Sequence, residues 1–278
     1  MVSVSSAQGD APFSSSFPAE VRQARLRDLV AERGYMRVSE LSGHFGVSTV
    51  TIRNDLDALE GRGELRRVHG GATLESVVRP EPTFEEAASD LPDEKRHIGR
   101  AAAALVSSGE SVLIDVGTTT TAVARALVGR AELTDVTVFT NALNVAFELE
   151  PAIPRFTVVV TGGTLRPKQH SLVNPLGTAF LEQLNATTAF IGCNGVDLAG
   201  GVTNINLPEA EIKRAMMRAA RRRVVVADGS KLGRIELTRV CPIDMVDILV
   251  TDVSADPGIV TELRSRGVNV IIAEGRQS

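Results

Sequence analysis

The chain has 278 residues, 43% hydrophobic and 23% charged, with a formal net charge of −4. That balance belongs to a globular chain long enough for a small domain and a larger one. No apolar run approaches the roughly 20 residues of a membrane span. Two isolated cysteines, Cys193 and Cys241, exclude a disulfide framework. Net acidity does not exclude nucleic-acid binding, because phosphate attraction acts over about 10 Å and a local basic patch suffices.

Residues 1–18 are rich in Ser, Ala and Pro and lack both a basic leader and an apolar core, so they read as a disordered tail, not a signal peptide. The expected location is cytoplasmic, with both thiols reduced. Residues 20–33 place Leu26, Leu29 and Val30 at helical spacing, with Gly34 as a stop. Ser39 is expected to cap a second helix carrying Leu41 and Phe45 at i and i+4. Gly46 breaks the chain and Ser48 caps a third helix. There Val47 and Ile52 occupy staple positions, and Ile52, Leu56 and Leu59 form an apolar stripe.

The opposite face offers Ser48, Thr49, Arg53 and Asn54. Gly61 and Gly63 end the helix, Glu64–Val68 reads as a strand, His69–Gly71 as a turn, and Ala72–Leu74 as the returning strand. Three helices and a hairpin make a winged helix-turn-helix over 19–75. On that reading Thr49, Arg53 and Asn54 meet base edges and phosphates in a major groove. Arg66, Arg67 and His69 of the wing grip phosphates or the minor groove. Ser39, Ser48 and Thr51 complete the DNA-facing set. The plainer reading is a solvated polar face on any three-helix unit.

Residues 75–92 carry three prolines and several carboxylates, and 76–92 is expected to be a linker. Residues 93–106 look helical. Beyond Ser111 short Val/Ile-rich runs recur at 112–116, 136–140, 156–161, 189–193, 223–228, 247–252 and 268–273. Near-continuous apolar content marks strands buried on both faces. Helices at Thr118–Val128, Asn141–Leu149 and Glu209–Ala220 lie between them. The fold class is therefore α/β: a winged helix-turn-helix followed, over 93–278, by a mostly parallel α/β sensor domain.

Ligands of open parallel sheets bind outside the carboxyl ends of the strands. The expected loops there are Asp115 with Gly117, Thr118, Thr119 and Thr120 opening a helix, then Asn141, Gly162 and Gly163, Asn194–Asp197, and Asp228–Lys231. Helix-start amides attract anions and threonine hydroxyls add donors. Each loop alone has a bland reading as a cap, turn or surface cation; sharing one edge favours a site. No phosphate loop, dinucleotide fingerprint, nucleophile elbow or Cys/His cluster occurs, and His44, His69, His97 and His170 are scattered. Neither metal nor cofactor is expected.

Ser48–Glu60 (STVTIRNDLDALE) followed by Arg67–Ala72 (RVHGGA) closely resembles the N-terminal signature of the DeoR family of bacterial transcriptional regulators. The resemblance continues through Asp93–Gly99, Asp115–Thr120, Thr140-Asn141, Thr161–Gly163, Asn194–Asp197, Glu209–Lys213 and Asp228–Lys231. It implies a repressor of carbohydrate-catabolism genes that binds double-stranded operator DNA and leaves it when a phosphorylated sugar binds. It also implies an effector domain similar to ribose-5-phosphate isomerase. Carried over residue by residue, Gly117–Thr120 would hold phosphate and Lys231 would neutralise it or bind a hydroxyl. Asp115, Asn141, Asp197 and Glu209 would read hydroxyls, with Lys213 either in the site or paired with Glu209 at i, i+4. Two departures stand out: Asn54 where a second Arg is frequent, and Gly229 where Ser is. A homo-oligomer, dimer or tetramer, is expected, without membrane contact. The rival reading is a sugar-phosphate isomerase with an added DNA-binding module, in which Asp197, Glu209 and Lys213 act as acid and base. The N-terminal motif favours the regulator, and the protein is read as no enzyme.

Overall fold

The computed structural model describes residues 18–33, 35–62, 64–68, 71–73 and 81–275. The expected tail, the stops at Gly34 and Gly63, the His69-Gly70 turn and Leu74 lie outside the described residues, as do the side chains of Arg66 and Arg67. The chain forms two compact units, 1–80 and 81–278.

In the first unit, α1 (Ala19–Arg33), α2 (Val38–Phe45) and α3 (Thr49–Gly61) surround one small core with a three-stranded antiparallel sheet. The expected wing forms as β2 (Arg66–Val68) and β3 (Gly71–Thr73). A further strand, β1 (Tyr35–Arg37), pairs with the other side of β3. Leu26, Leu41, Ile52, Leu56 and Leu59 are fully buried, and Val47 packs against that cluster. Ser48 caps α3 as expected, accepting from Thr51 N at 3.1 Å. Ser39 does not cap α2. The helix starts one residue before it, Arg37 stands at the cap, and Glu40 accepts the Arg37 N–H at 2.9 Å. Burial of Val38 draws the chain into the helix at that point.

The second unit is built on a seven-stranded sheet in the order β15-β14-β12-β9-β4-β5-β6, every neighbouring pair parallel. The strands are β4 (Ser111–Ile114), β5 (Val136–Thr140), β6 (Phe156–Val160), β9 (Ala186–Gly192), β12 (Ala220–Val226), β14 (Ile248–Asp252) and β15 (Asn269–Ala273). Successive side chains enter opposite cores: Val224 and Val226 one, Val225 the other. Helices α5 (Pro92–Ala103), α6 (Thr118–Val128), α7 (Leu143–Leu149), α9 (Leu207–Arg218) and α10 (Pro257–Ser265) connect or flank the strands.

Two strands begin earlier than their apolar runs. β9 takes in Thr187 and Thr188, whose neighbour Ser111 accepts the Thr187 N–H at 3.0 Å. β12 takes in three arginines. Arg222 donates to Glu110 at 3.0 Å, and Arg223 forks onto Asp247 with two bonds of 2.9 Å. Paired charges let a basic run sit in a sheet, which an apolar-run criterion does not see. Smaller elements add a hairpin, β7 (Thr164–Arg166) with β8 (Ser171–Val173), a short helix α8 (Leu176–Leu181), and an antiparallel sheet of β10 (Gly195–Asp197), β11 (Gly201–Asn204) and β13 (Thr238–Cys241).

Within the segment read as a linker, residues 81–91 hold a capped helix, α4 (Phe84–Ser89), and pack on the second unit. Thr83 and Glu86 form its capping box, with bonds of 3.2 and 2.7 Å. Pro82 and Pro92 flank this helix without interrupting it, and Pro92 stands at the start of α5, where the missing N–H costs nothing.

Candidate functional site

On the exposed face of α3, Thr49, Arg53 and Asn54 are exposed, and Arg53 and Asn54 have no hydrogen-bonding partner among the described residues. The buried stripe Ile52, Leu56 and Leu59 occupies the opposite side, so the polar side chains are free to meet a ligand. Thr51 is less available: its hydroxyl lies 2.9 Å from Ser48 Oγ in the cap. Below the face, Asp55 is buried and accepts from Arg22 Nε at 2.6 Å and Gln23 Nε2 at 2.9 Å, fixing α1 against α3. The backbone of Arg66 and Arg67 lies on β2, in the wing.

All seven strands of the large sheet run parallel, so Asp115, Asn141, Thr161–Gly163, Cys193-Asn194 and Asp228 follow strand ends on one edge, as expected. Strand order reverses between β4 and β9. That crevice is where open α/β sheets bind ligands. Asp115 sits in it, fully buried. Its Oδ2 accepts from Gly192 N at 3.2 Å and from Lys213 Nζ, whereas Oδ1 has no hydrogen-bonding partner among the described residues. Burial pushes the Asp115 carboxyl up to about 6, against the pull of Lys213. Burial also opposes the Lys213 charge, but Asp115 and Glu209 hold its ammonium above the usual lysine range. Lys213 is therefore the partner of Asp115, reached from α9; the i, i+4 pairing with Glu209 does not form as an ion pair. Glu209, 5% exposed, instead accepts from Ser171 Oγ at 2.7 Å and from Arg166 Nη1.

Beside Asp115, Gly117 caps α6 at φ 141°, in the region that favours glycine. The first intrahelical bond, Thr121 N to Gly117 O at 2.9 Å, leaves the N–H groups of Thr118–Thr120 at an open helix start. Thr120 is less free than expected: its hydroxyl donates to Gly117 O at 2.9 Å, leaving the hydroxyls of Thr118 and Thr119. Asn141 is fully buried, and both ends of its amide are engaged, Oδ1 by Val116 N at 3.1 Å and Nδ2 with Leu172 O at 3.3 Å. It braces the strand ends. Gly162 and Gly163 also serve the backbone, since a Cβ on Gly163 would meet Val173 O at 2.2 Å. Asp197 stands apart on the small sheet, its Oδ1 accepting from Ala199 and Gly200 N–H at 2.8 and 2.7 Å to close its own hairpin.

Lys231 ends the turn Gly229–Lys231. Its charge is close enough to oppose that of Lys95 and to act on Cys193, whose thiol burial pushes up to about 12. Asp252 accepts Gly229 N at 2.8 Å, and a Cβ at 229 would lie 2.4 Å from Ala255 N, which accounts for glycine at this position. Arg166, Ser171, Lys95 and Gly192 were not singled out from the sequence. Arg166 and Ser171 lie on a three-residue-strand hairpin with no periodic signal, and Lys95 is one charge among several in DEKR. No group of His, Cys, Asp or Glu among the described residues could hold a metal ion. No helix of the described residues is long and apolar enough to cross a membrane.

A DeoR-like helix-turn-helix domain model matches residues 22–77, and a DeoR C-terminal sensor domain model matches 91–253. The HTH-type transcriptional regulator GlpR of Haloferax volcanii is 37% identical over 254 residues, 91% of this chain and 97% of its own. The glycerol-3-phosphate regulon repressor of Escherichia coli (strain K12) is 34% identical over 231 residues, 83% of this chain and 90% of its own. A ribose 5-phosphate isomerase A from Methanocaldococcus jannaschii aligns over 51% of this chain and 55% of its own, at 19% identity and a TM-score of 0.38. With both halves matched in order and relatives above 30% identity along most of its length, the chain belongs to the DeoR family of helix-turn-helix transcriptional regulators.

Proposed function

We propose that this protein is a repressor of carbohydrate-catabolism genes, released from paired operator half-sites by a phosphorylated sugar bound at the β4/β9 crevice. The observation that carries the effector site is Asp115 Oδ1, a buried carboxylate oxygen without a partner at the switch point. Leaving such an acceptor unsatisfied costs about 1–3 kcal/mol, and a sugar hydroxyl would satisfy it. The helix start at Gly117–Thr119 and Lys231 supply phosphate chemistry on the same edge. Arg53, Asn54 and Thr49, with the wing residues Arg66, Arg67 and His69, are the proposed DNA contacts. A symmetric homo-oligomer would present two reading helices to the two half-sites.

A binder is favoured over an isomerase because the acid and base candidates are committed elsewhere: Lys213 to Asp115, Glu209 to Arg166 and Ser171, and Asp197 to its hairpin. The test is a thermal-shift screen of the full chain against a panel of pentose, hexose, hexosamine and triose phosphates. Hits are then assayed for turnover and for release of DNA from the gene's own promoter. A ligand at about 100 times its Kd should add about 2.7 kcal/mol to stability. No shift from any sugar phosphate, or turnover of a hit, refutes the reading.

A further inference from the structure

One guanidinium, Arg166 at the end of β7, is held between two carboxylates. Nη2 donates to Glu81 Oε2 at 2.6 Å and Nη1 to Glu209 Oε1. The three side chains are only 18%, 15% and 6% exposed. Glu209 also accepts from Ser171 Oγ on the other strand of the same hairpin, so the β7–β8 hairpin is anchored to α9 from both strands.

Glu81 belongs to the segment by which the backbone enters the second unit. Three more bonds fasten this segment to the loop of that hairpin. Phe84 N donates to Lys168 O at 2.9 Å, Gln169 Nε2 donates to Pro82 O at 2.6 Å, and His170 Nε2 lies 2.8 Å from Glu85. At its far end Lys95 Nζ donates to Ala87 O at 2.6 Å and to Asp90 O, within electrostatic reach of Asp228 and Lys231. The entering segment therefore rests on the hairpin, and the hairpin rests on Glu209. The two carboxylates accept from different nitrogens of one guanidinium, so Glu209 orients the group from which Glu81 accepts. An anion drawn to Arg166, or a hydroxyl that turns Glu209, changes the bond to Glu81.

We infer that Arg166 is a positioning residue that couples Glu209 to the entering segment 81–91, so that a polyhydroxylated anion engaging this pair loosens the stretch of chain that follows the DNA-reading unit. This rests on the effector-site reading above and adds its route of transmission. A ligand shifts such an equilibrium only by its differential affinity for the clasped and loosened forms, which Arg166 provides.

The test is amide hydrogen exchange on the full chain without ligand, comparing wild type, E209Q, R166M and the double variant. Among the described residues no hydrogen bond joins Glu209 to 81–91, so a purely local role predicts no change there. Coupling through Arg166 predicts that E209Q and R166M each raise exchange over 84–90 by at least about threefold, with the double no faster than R166M alone. E81Q, which spares the sheet core, should give the same rise. Unaltered exchange in β9 reports an intact sheet. Unchanged exchange over 84–90 in E209Q, or effects that multiply in the double, overturns the coupling. A second arm adds ribose 5-phosphate, glucose 6-phosphate and glycerol 3-phosphate in turn. A thermal shift from any of them with no change over 84–90 overturns the coupling and leaves the sensor reading intact. Non-additive exchange with no thermal shift from these or from the rest of the sugar-phosphate panel supports the coupling and removes the sugar-phosphate reading.

Discussion

Replacing Lys213 with methionine removes the ammonium bonded to a fully buried carboxylate. Asp115 then keeps one bond, from Gly192 N, and its burial is uncompensated. Breaking a buried pair in this way costs about 3–5 kcal/mol. The cost depends on pH, and the sign follows from the direction of the shift. The folded pKa of Asp115, about 6, already lies above its unfolded value, and burial drives it that way. Without Lys213 it rises further. A carboxyl with a raised folded pKa weakens the fold as pH climbs from the unfolded pKa through the folded one, at about 1.4 kcal/mol per unit. With the folded pKa pushed well above this window in K213M, Asp115 loses up to about 2.7 kcal/mol between about pH 5.5 and 7.5, against about 0.8 in wild type. The destabilisation by K213M should therefore be about 2 kcal/mol smaller at about pH 5.5. Urea unfolding of the full chain at the two pH values measures it. D115N combined with K213M should recover much of the loss, since no buried charge is then stranded. Equal penalties at both pH values, or a double variant weaker than K213M alone, would refute the buried-pair account.

R53A should lower affinity for promoter DNA by about 1–3 kcal/mol while leaving the melting temperature unchanged, because the side chain is exposed and has no partner among the described residues; fluorescence anisotropy that finds no loss would dismiss the α3 reading face. N141A strips partners from Val116 N and Leu172 O, and a loss of about 2–4 kcal/mol should drop the sensor melting transition by roughly 4–16 °C. A transition within about 1 °C of wild type would show that Asn141 does not brace the strand ends. D252N replaces a carboxylate that accepts Gly229 N and Ser254 N, each at 2.8 Å. Burial raises the Asp252 pKa, but these bonds outweigh it and leave the pKa below the ordinary value. Its stabilisation is therefore present above about pH 4 and lost as pH falls through the folded pKa. D252N should be weaker than wild type at neutral pH and less sensitive to acid below about pH 4, as thermal melts across that range would show.

Periodicity was enough to locate α3, α6 and β5, because an apolar stripe or run has a sharp end there: Ser48 and Gly117 at the caps, Thr140 at the strand end. It was not enough for β12, where Arg222 and Arg223 are paired with carboxylates distant in sequence, nor for β1, which among the described residues pairs with β3 alone. The strand-end loops could be placed on one edge from the parallel pattern alone. What each side chain does there could not. Lys213 was open between two roles and belongs to Asp115, which lies far away in sequence. Asn141 and Asp197 carry the residue types of a ligand site, but the Asn141 amide and Asp197 Oδ1 are bonded to the backbone. Arg166 is one arginine in a stretch without pattern until the hairpin brings Glu81 and Glu209 to it.

The strand order of the large sheet has a consequence for biosynthesis. Its centre is the pairing of β4 with β9, where Val112 meets Thr188, so the sheet cannot close until the ribosome has passed β9. The helices and wing of the first unit are complete by Thr73. At about 5–20 residues per second, roughly 120 residues of synthesis separate the two events, or about 6–24 s. Contacts among near neighbours form quickly, whereas long-range parallel pairing is slow. A nascent chain therefore carries a finished DNA-reading head for many seconds before the part that governs it exists.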